Sequence, residues 1–495
     1  MSSWPERSLP CSPRSSSSFS CRRALSRDSP CKRRSNMSTP TPPFSIQQLL
    51  GKTLSCTCGV EHTIPTQAVI IAEGALEQVP SCCTRYLPGK QVLLVVDEVT
   101  YRIAGERVQK YLADAGYAVE PLFLRTRADG RVVADDENVA HVRTRIRDAI
   151  DFLVAVGAGT VNDVAKLASY QAERPYLVCP TAPSMNGFTS GIAAILSRGV
   201  KRTIPAHTPV AVVADLNILS TAPPAMIRAG LGDMISKPVS NADWKLTQLI
   251  KGGYYCEVPL RIVEEAEQAC RANAAAIGQG EKGAIGILTE ALILSGFSMV
   301  VAGSSSPASG GEHLLSHYWD MTAHWHGREE NFHGAQVGVA TLVSATLYEK
   351  LQRLDPQAID WTALRRQYPD WEELEQSLHK IHGPLAVEVI AEARKKYLPL
   401  PEKEKEWQWI RENWDTIWQE LSPILVPAAR IREILLAAGA PTTMRELGIG
   451  AEELRTAFLH AKDIRGRYTV LDFAHDLGVL EGLCEEVLSE SGVLG

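Results

Sequence analysis

The 495-residue sequence has no unbroken apolar run approaching the roughly 20 residues a bilayer-spanning helix needs. Even residues 292–303 (LILSGFSMVVAG) are short and interrupted by Gly and Ser, so no membrane span is expected. Charge of one sign is lacking too: 51 Lys and Arg against 57 Asp and Glu leave a formal net charge of −6, dispersed along the chain. That removes the electrostatic reason to expect nucleic acid or an anionic membrane as partner, and any bound phosphate must be held locally. The eleven cysteines form no repeating framework, which in a chain of this size points to reduced thiols and a cytoplasmic protein. Cys56-Thr57-Cys58 with His62, followed by Cys82-Cys83, suggests a metal knuckle, but the spacing matches no standard zinc pattern. These residues are expected to be structural or incidental. What is present, 45% hydrophobic and 22% charged residues over a length beyond one ordinary core, describes a folded protein of two domains plus extra sequence.

Residues 1–36 are rich in Ser, Arg and Pro, with Glu6 and Asp28 their only acids, and are expected to be a disordered basic leader. The block resembles an organellar transit peptide, yet the stretch opening at Met37 reads as an ordinary amino terminus, and an upstream start codon is the preferred explanation. From about residue 60 to 220, β-rich runs (92–97, 118–124, 152–157, 176–180, 210–215) alternate with helical patterns (103–115, 137–150, 161–173). Such alternation implies a parallel sheet with helices on its faces, so residues 37–220 are expected to form an α/β nucleotide-binding domain. Past residue 221 long helices dominate, and residues 221–495 are expected to form an all-α domain binding metal and substrate. Within it Trp407, Trp414 and Trp418 share one helical face, the spacing of core or subunit-contact residues rather than a ligand platform.

Residues 151–169 (DFLVAVGAGTVNDVAKLAS) read as strand, Gly-rich turn and helix in succession. Gly157 and Gly159 let the backbone approach an anion, and the helix opening over Thr160, Val161, Asn162 and Asp163 presents free N–H groups and a positive dipole end that suit a pyrophosphate. The motif is not Gly-x-Gly-x-x-Gly, and on its own a ligand-free tight turn reads equally well. Asp97 ends the first strong strand, where a carboxylate either caps a helix or accepts a ribose hydroxyl and repels a 2′-phosphate. Together with the Gly turn it leans towards NAD over NADP. Residues 179–195 (CPTAPSMNGFTSGIAAI) place Thr181, Ser184, Asn186 and Ser190 after a strand, where α/β sheets bind ligands. These neutral donors suit a nicotinamide or sugar hydroxyls; no Gly-x-Ser-x-Gly elbow surrounds Ser184, which excludes the usual serine nucleophile.

Three segments of the second half carry the strongest signal: residues 229–237 (AGLGDMISK), 310–320 (GGEHLLSHYWD) and 331–342 (NFHGAQVGVATL). Asp233, His313 and His333 are residue types that bind a borderline divalent cation, and three protein ligands leave a position open for substrate. His317, four residues after His313, shares its helical face. A single His is more often structural, but three polar groups beside glycines in segments of one composition favour a site. His324 and His326 are lesser ligand candidates.

These motifs together, with GLGDMISKPVSNADWKL, SSPASGGEHLLSH and the carboxyl-terminal RGRYTVLDFAHDLGVL, resemble the glycerol-1-phosphate dehydrogenase family, most nearly its bacterial AraM-type branch. The resemblance covers roughly residues 50–480, within the iron-type alcohol dehydrogenase and dehydroquinate synthase-like superfamily. It implies a homodimeric cytoplasmic enzyme with its active site in the cleft between an α/β and a helical domain. On matched positions Asp233, His313 and His333 would hold one divalent metal, zinc or nickel ahead of iron. Asp97, the 159–163 turn, Thr181, Ser184 and Ser190 would contact NAD(H) or NADP(H), and Asn186, Asp233 and His317 the substrate. The implied reaction is reduction of dihydroxyacetone phosphate to sn-glycerol 1-phosphate, with His317 or a cofactor hydroxyl delivering the proton and Lys237 or residues 304–306 near the phosphate. A polyol dehydrogenase, a dehydroquinate synthase-like lyase and a degenerate non-catalytic member are the alternatives. Two departures stand out: the family usually has Asp where this chain has Asn186, and residues 324–331 (HWHGREEN) look inserted before His333.

Overall fold

The apolar runs expected as strands owe their continuity to burial on both faces. In the computed structural model, which describes residues 44–495 apart from 55, 198 and 199, the leader expected at 1–36 and the side chain of His324 lie outside the described residues. β1 (Thr53–Leu54) and β2 (His62–Thr63) form a short antiparallel hairpin. β3 (Ala68–Ala72), β4 (Gln91–Val96), β5 (Ala118–Phe123), β6 (Phe152–Gly157), β7 (Tyr176–Pro180) and β10 (Ala211–Asp215) build one sheet in the order β3-β10-β7-β6-β4-β5, every pairing parallel. β6, β7 and β10 are buried throughout and β4 after its first residue, so no in–out alternation survives in their sequences. β8 (Ile192–Ser197) and β9 (Val200–Pro205) form a separate antiparallel pair, with a single bridge from Leu196 to Asp135.

Chain order along this sheet reverses at β4. β5 lies on one side of β4 and the chain returns to lay β6 on the other, so the carboxyl ends of β4 and β6 flank the crevice in which open α/β sheets bind ligands. Helix Gly159–Gln171 leaves directly from the end of β6. A Cβ on Gly157 would lie 2.5 Å from that of Val161, so only glycine lets strand and helix meet this closely. The helix expected over 103–115 starts earlier, at Glu98, because Asp97 caps it, and it passes through a π-helical stretch, Tyr101–Gly105, before ending at Asp114. The one expected over 137–150 ends at Arg145, since Ile146 turns extended and carries Ile150 into the core before β6 begins.

After β10 the described chain is helical. Helices Pro224–Ile235, Lys237–Lys251, Val258–Ala272, Lys282–Ala302, Gly311–Thr322 and His333–Gln352 follow, with shorter ones to the carboxyl end. Helix Lys282–Ala302 corrects the reading that no segment is long and apolar enough to cross a bilayer. It has 21 residues and mean hydropathy 1.9. Counting unbroken apolar residues understated it because Gly, Ser and Thr interrupt the run without making the helix polar. In the fold 78% of its most apolar window is buried, and a helix apolar all round suits such a core position. Trp407, Trp414 and Trp418 are buried against the carboxyl-terminal helices, Trp414 and Trp418 packing on Phe473.

Candidate active site

Three glycines let backbone meet backbone and so decide where Asp233 sits. A Cβ on Gly334 would lie 1.8 Å from the Ala229 carbonyl oxygen, and one on Gly232 would lie 2.2 Å from that of Gly334. Helix Pro224–Ile235 therefore crosses the start of helix His333–Gln352 at minimal separation, which brings Asp233 beside His333. A Cβ on Gly230 would meet the Pro183 oxygen at 1.8 Å, which draws in the loop carrying Ser184 and Asn186. His313 comes from helix Gly311–Thr322, whose start is held by Asp243: its carboxylate accepts from the Gly311 N–H at 2.6 Å, the Val470 N–H at 2.7 Å and the Tyr348 hydroxyl at 2.5 Å.

The donor atoms of Asp233, His313 and His333 all lie within 4.8 Å of one another. His313 Nε2 is 3.7 Å from Asp233 Oδ1, while its Nδ1 is 2.7 Å from Glu312 Oε1, the outer partner that fixes which nitrogen faces inward. Burial pushes the His313 and His333 imidazoles down to about 3, so both are neutral, as metal ligands must be. Burial alone would raise the Asp233 carboxyl; the Lys237 ammonium beside it, helped by the bond from the Asn186 N–H, outweighs burial and holds Asp233 ionised, below its ordinary value. One carboxylate and two neutral imidazoles converging on one point suit a borderline divalent cation. His317 stacks on His333 with centroids 5.5 Å apart, and its buried Nδ1 has no hydrogen-bond partner among the described residues.

Asn186 reaches the same carboxylate twice. Its backbone N–H donates to Asp233 Oδ2 at 2.9 Å and its side-chain amide to Oδ1 at 3.0 Å. Lys237 Nζ also bonds Asp233 Oδ1, at 3.2 Å, together with Ser236 Oγ and the Ala308 oxygen. This lysine is only 2% exposed and is spent on Asp233.

A cavity of about 290 Å³ joins these residues to the sheet. His313, His317, His333 and Asn186 line it on one side, and Gly159, Thr160, Asp163, Ser184 and Ser190 on the other. The inserted-looking segment reaches its rim through Glu330 and Asn331, and Arg328 anchors that segment to Glu453 at 3.0 Å. Five expected cofactor residues do not line this cavity. Asp97 Oδ1 accepts from the Val99 and Thr100 N–H groups at 2.8 and 2.7 Å, the helix-capping alternative, at the carboxyl end of β4. Gly157 and Val161 pack on each other, Asn162 is fully buried beneath Tyr176, and the Thr181 N–H donates to the Gly157 oxygen at 3.2 Å. His326 is exposed and stands apart from the Asp233 group.

Sequence reasoning passed over Lys166. It is fully buried, and its Nζ donates to the Gly187 oxygen at 2.5 Å, Ser190 Oγ at 3.2 Å and the Ile192 oxygen at 3.0 Å, pinning the 184–192 loop to helix Gly159–Gln171. A lysine on the apolar face of an otherwise ordinary helix was the available signal. Arg465 and Arg467 also went unremarked. With Lys251, Lys395 and Lys396 they line a second cavity of about 530 Å³, which shares Thr203, Ser305, Ser309 and His317 with the first.

Comparison with known proteins bears on this arrangement. A sequence profile of the iron-containing alcohol dehydrogenases matches residues 70–223. The chain is 32% identical over 439 residues to the glycerol-1-phosphate dehydrogenase (NAD(P)+) of Bacillus licheniformis, an alignment covering 88% of this chain and 95% of that protein. The chain belongs to the glycerol-1-phosphate dehydrogenase family. An archaeal member, from Thermococcus sibiricus, is 36% identical over 281 residues, 57% of this chain and 77% of its own. Among solved structures the fold is shared with glycerol dehydrogenase from Schizosaccharomyces pombe (TM-score 0.57, 16% identity, 87% of this chain and 92% of that one). It is shared as well with NADH-dependent butanol dehydrogenase A from Thermotoga maritima (TM-score 0.53, 13% identity, 85% and 97%). Family membership and the dehydroquinate synthase-like architecture, an α/β region followed by a helical one, agree with the expectations from sequence.

Proposed function

We propose that this member of the glycerol-1-phosphate dehydrogenase family reduces dihydroxyacetone phosphate to sn-glycerol 1-phosphate, using NADH or NADPH and one divalent metal per subunit. The observation that carries this reading is a single cavity lined on one side by His313 and His333, whose donor atoms converge with that of the buried Asp233, and on the other by the opening turn of a β–α unit. Asp233, His313 and His333 hold the metal, zinc or nickel ahead of iron, with Glu312 orienting His313. Bound there, a divalent cation supplies Lewis acidity towards a carbonyl oxygen and a reduced nicotinamide supplies the hydride. Gly159 and Thr160 present the helix N-terminus to the cofactor pyrophosphate. Ser184 and Ser190, the latter bonded by Lys166, face the nicotinamide end, and Asp97, which caps its helix through Oδ1, offers Oδ2 to the ribose at the crevice.

Asn186 and His317 orient the substrate; the unpartnered Nδ1 of His317 is the atom offered to a substrate hydroxyl. The phosphate lies in the basic annex, with Arg467 its principal partner. Arg467 donates to Ser305 Oγ at 2.8 Å and to the Ser309 oxygen, which aims its guanidinium at the boundary between the two cavities. Lys237, the earlier candidate, neutralises Asp233 instead. The protein is read as a cytoplasmic homodimer with an α/β domain over 37–220 and a helical domain over 221–495.

The test is oxidation of NADH with dihydroxyacetone phosphate, on chelated protein re-loaded separately with zinc, nickel and iron, with chiral analysis of the product. Metal-restored oxidation yielding the sn-1 isomer is the expected result. Turnover of glycerol irrespective of phosphate would move the protein to the polyol dehydrogenases, and binding of NADH without oxidation under any metal would make it non-catalytic.

A further inference from the structure

We infer that the protein carries a second metal site, a closed structural zinc centre made by Cys56, Cys58, His62 and Cys256, distant in sequence and in kind from the active-site set. The β1–β2 hairpin supplies three donors: Cys56 and Cys58 from its loop and His62 from β2. The fourth, Cys256, lies in the 252–257 connection between helices Lys237–Lys251 and Val258–Ala272. All four ligand atoms lie within 4.8 Å of one another. Cys56 Sγ is 3.4 Å from Cys256 Sγ, and His62 Nε2 is 3.2 Å from Cys58 Sγ and 3.5 Å from Cys256 Sγ.

Those separations are close to the edges of a tetrahedron with zinc at its centre, about 3.8 Å between sulfurs for Zn–S bonds of about 2.3 Å. They do not describe a disulfide, whose sulfurs sit about 2.05 Å apart, and all three cysteines are free. The loop has the local form of a zinc knuckle. The Cys58 N–H donates to Cys56 Sγ at 3.4 Å, a bond that stabilises a thiolate, and Gly59 follows at φ +84° to turn the chain back towards His62. Cys256 is held from the other side, since Trp244 Nε1 donates to the Tyr254 oxygen at 2.8 Å. Three thiolates and an imidazole select zinc over a hard cation, and four protein donors leave no position for substrate. None of the four lines the catalytic cavity. The Cys-x-Cys spacing looked non-standard because the donor completing the set lies 194 residues beyond His62. The centre clamps the amino-terminal hairpin onto the helix that follows the Asp233 segment.

Cobalt separates the two sites, because only this one contains sulfur. Full-length protein reconstituted with Co²⁺ under reducing conditions should show intense near-ultraviolet thiolate-to-cobalt charge transfer. His333→Ala should keep that band, Cys256→Ser should weaken it, and the double variant Cys58→Ser/Cys256→Ser should lose it together with one equivalent of zinc per chain. Should the cysteine variants fail to fold, a mercurial thiol reagent titrated into the wild-type zinc protein is expected to release one equivalent of zinc. Absence of the charge-transfer band, absence of zinc release on thiol titration, or a Cys56–Cys256 disulfide in peptide maps of the isolated protein would each overturn the inference.

Discussion

Replacing Gly334 with alanine tests whether the helix crossing sets the metal geometry. The new Cβ would lie 1.8 Å from the Ala229 oxygen, and such contacts do not occur below 3.0 Å, so the two helices must part by about 1.2 Å. They have no room to part by sliding, because Gly230 holds the same helix equally close to Pro183 on its far side. Overpacking of this kind costs about 3 kcal/mol, while alanine in a helix interior returns about 1 kcal/mol over glycine. A net loss of about 2 kcal/mol is therefore expected. The functional cost is larger, since a displacement near 1 Å between groups that must act together is worth about 100-fold in turnover. Gly338, one turn further along the same helix, is the control: its Cβ would meet Gly232 Cα at 3.3 Å and Leu435 Cδ2 at 3.4 Å, contacts that a few tenths of an ångström relieve. Gly338→Ala should be near neutral in urea unfolding and retain its metal. Metal content by mass spectrometry, urea midpoints and NADH oxidation should separate the two variants. If Gly334→Ala and Gly338→Ala hold the same metal and turn over alike, the crossing does not position Asp233 and His333, and the reasoning fails.

Glu312→Ala should weaken metal binding by about 10- to 100-fold without removing a ligand, read from competition with a chromophoric chelator; unchanged affinity would show that His313 is oriented by something else. Arg467→Met should raise KM for dihydroxyacetone phosphate by about 50-fold, the worth of a charge-assisted contact, and change that for dihydroxyacetone by less than about threefold; equal losses on both would reduce Arg467 to a structural role. Asp476 is partly buried, which on its own would raise its carboxyl, yet Lys403 at 2.5 Å and Lys251 pull it from 3.8 down to about 2. The sign follows: this stabilisation is complete above the unfolded value near 4 and is lost as pH falls towards 2, so Asp476→Asn should cost about 2 kcal/mol at pH 7 and progressively less between pH 4 and 2. Parallel stability curves for wild type and Asp476→Asn over that interval would contradict it.

How much of this could be read from residues alone depends on whether the deciding interaction is local. The central strands were legible because burial on both faces leaves uninterrupted apolar runs. β3 was not, being a five-residue edge strand, and neither was the β8–β9 hairpin, a small separate sheet at the lip of the cavity. Asp233, His313 and His333 stood out because each is a polar departure from its helix beside glycine, Gly232 and Gly334 being the ones that the helix crossing requires. Asp97 offered two local roles, and the capping one is seen. The partners of Lys166 and Cys256 were not legible for a common reason: they are 21 to 26 and 194 to 200 residues away, and no spacing rule reaches so far. The apolar character of helix Lys282–Ala302 was understated because interruptions were counted instead of averaged.

The paired bonds from Asn186 to Asp233 have a consequence for how the two halves of the site speak to each other. Asn186 sits in the loop that Lys166 ties to helix Gly159–Gln171, so on the proposed reading the carboxylate that would turn towards a metal is also the tether of the loop that would receive a nicotinamide. A metal held by Asp233 would compete with the tether and loosen the loop, and a cofactor that fixed the loop in another position would free the carboxylate. Occupancy of either site is thereby expected to change the dissociation constant of the other, and by the same factor in both directions. Titrating NADH into metal-free and metal-loaded protein, and metal into protein with and without NADH, should close that cycle, and independence of the two constants would show that the tether transmits nothing.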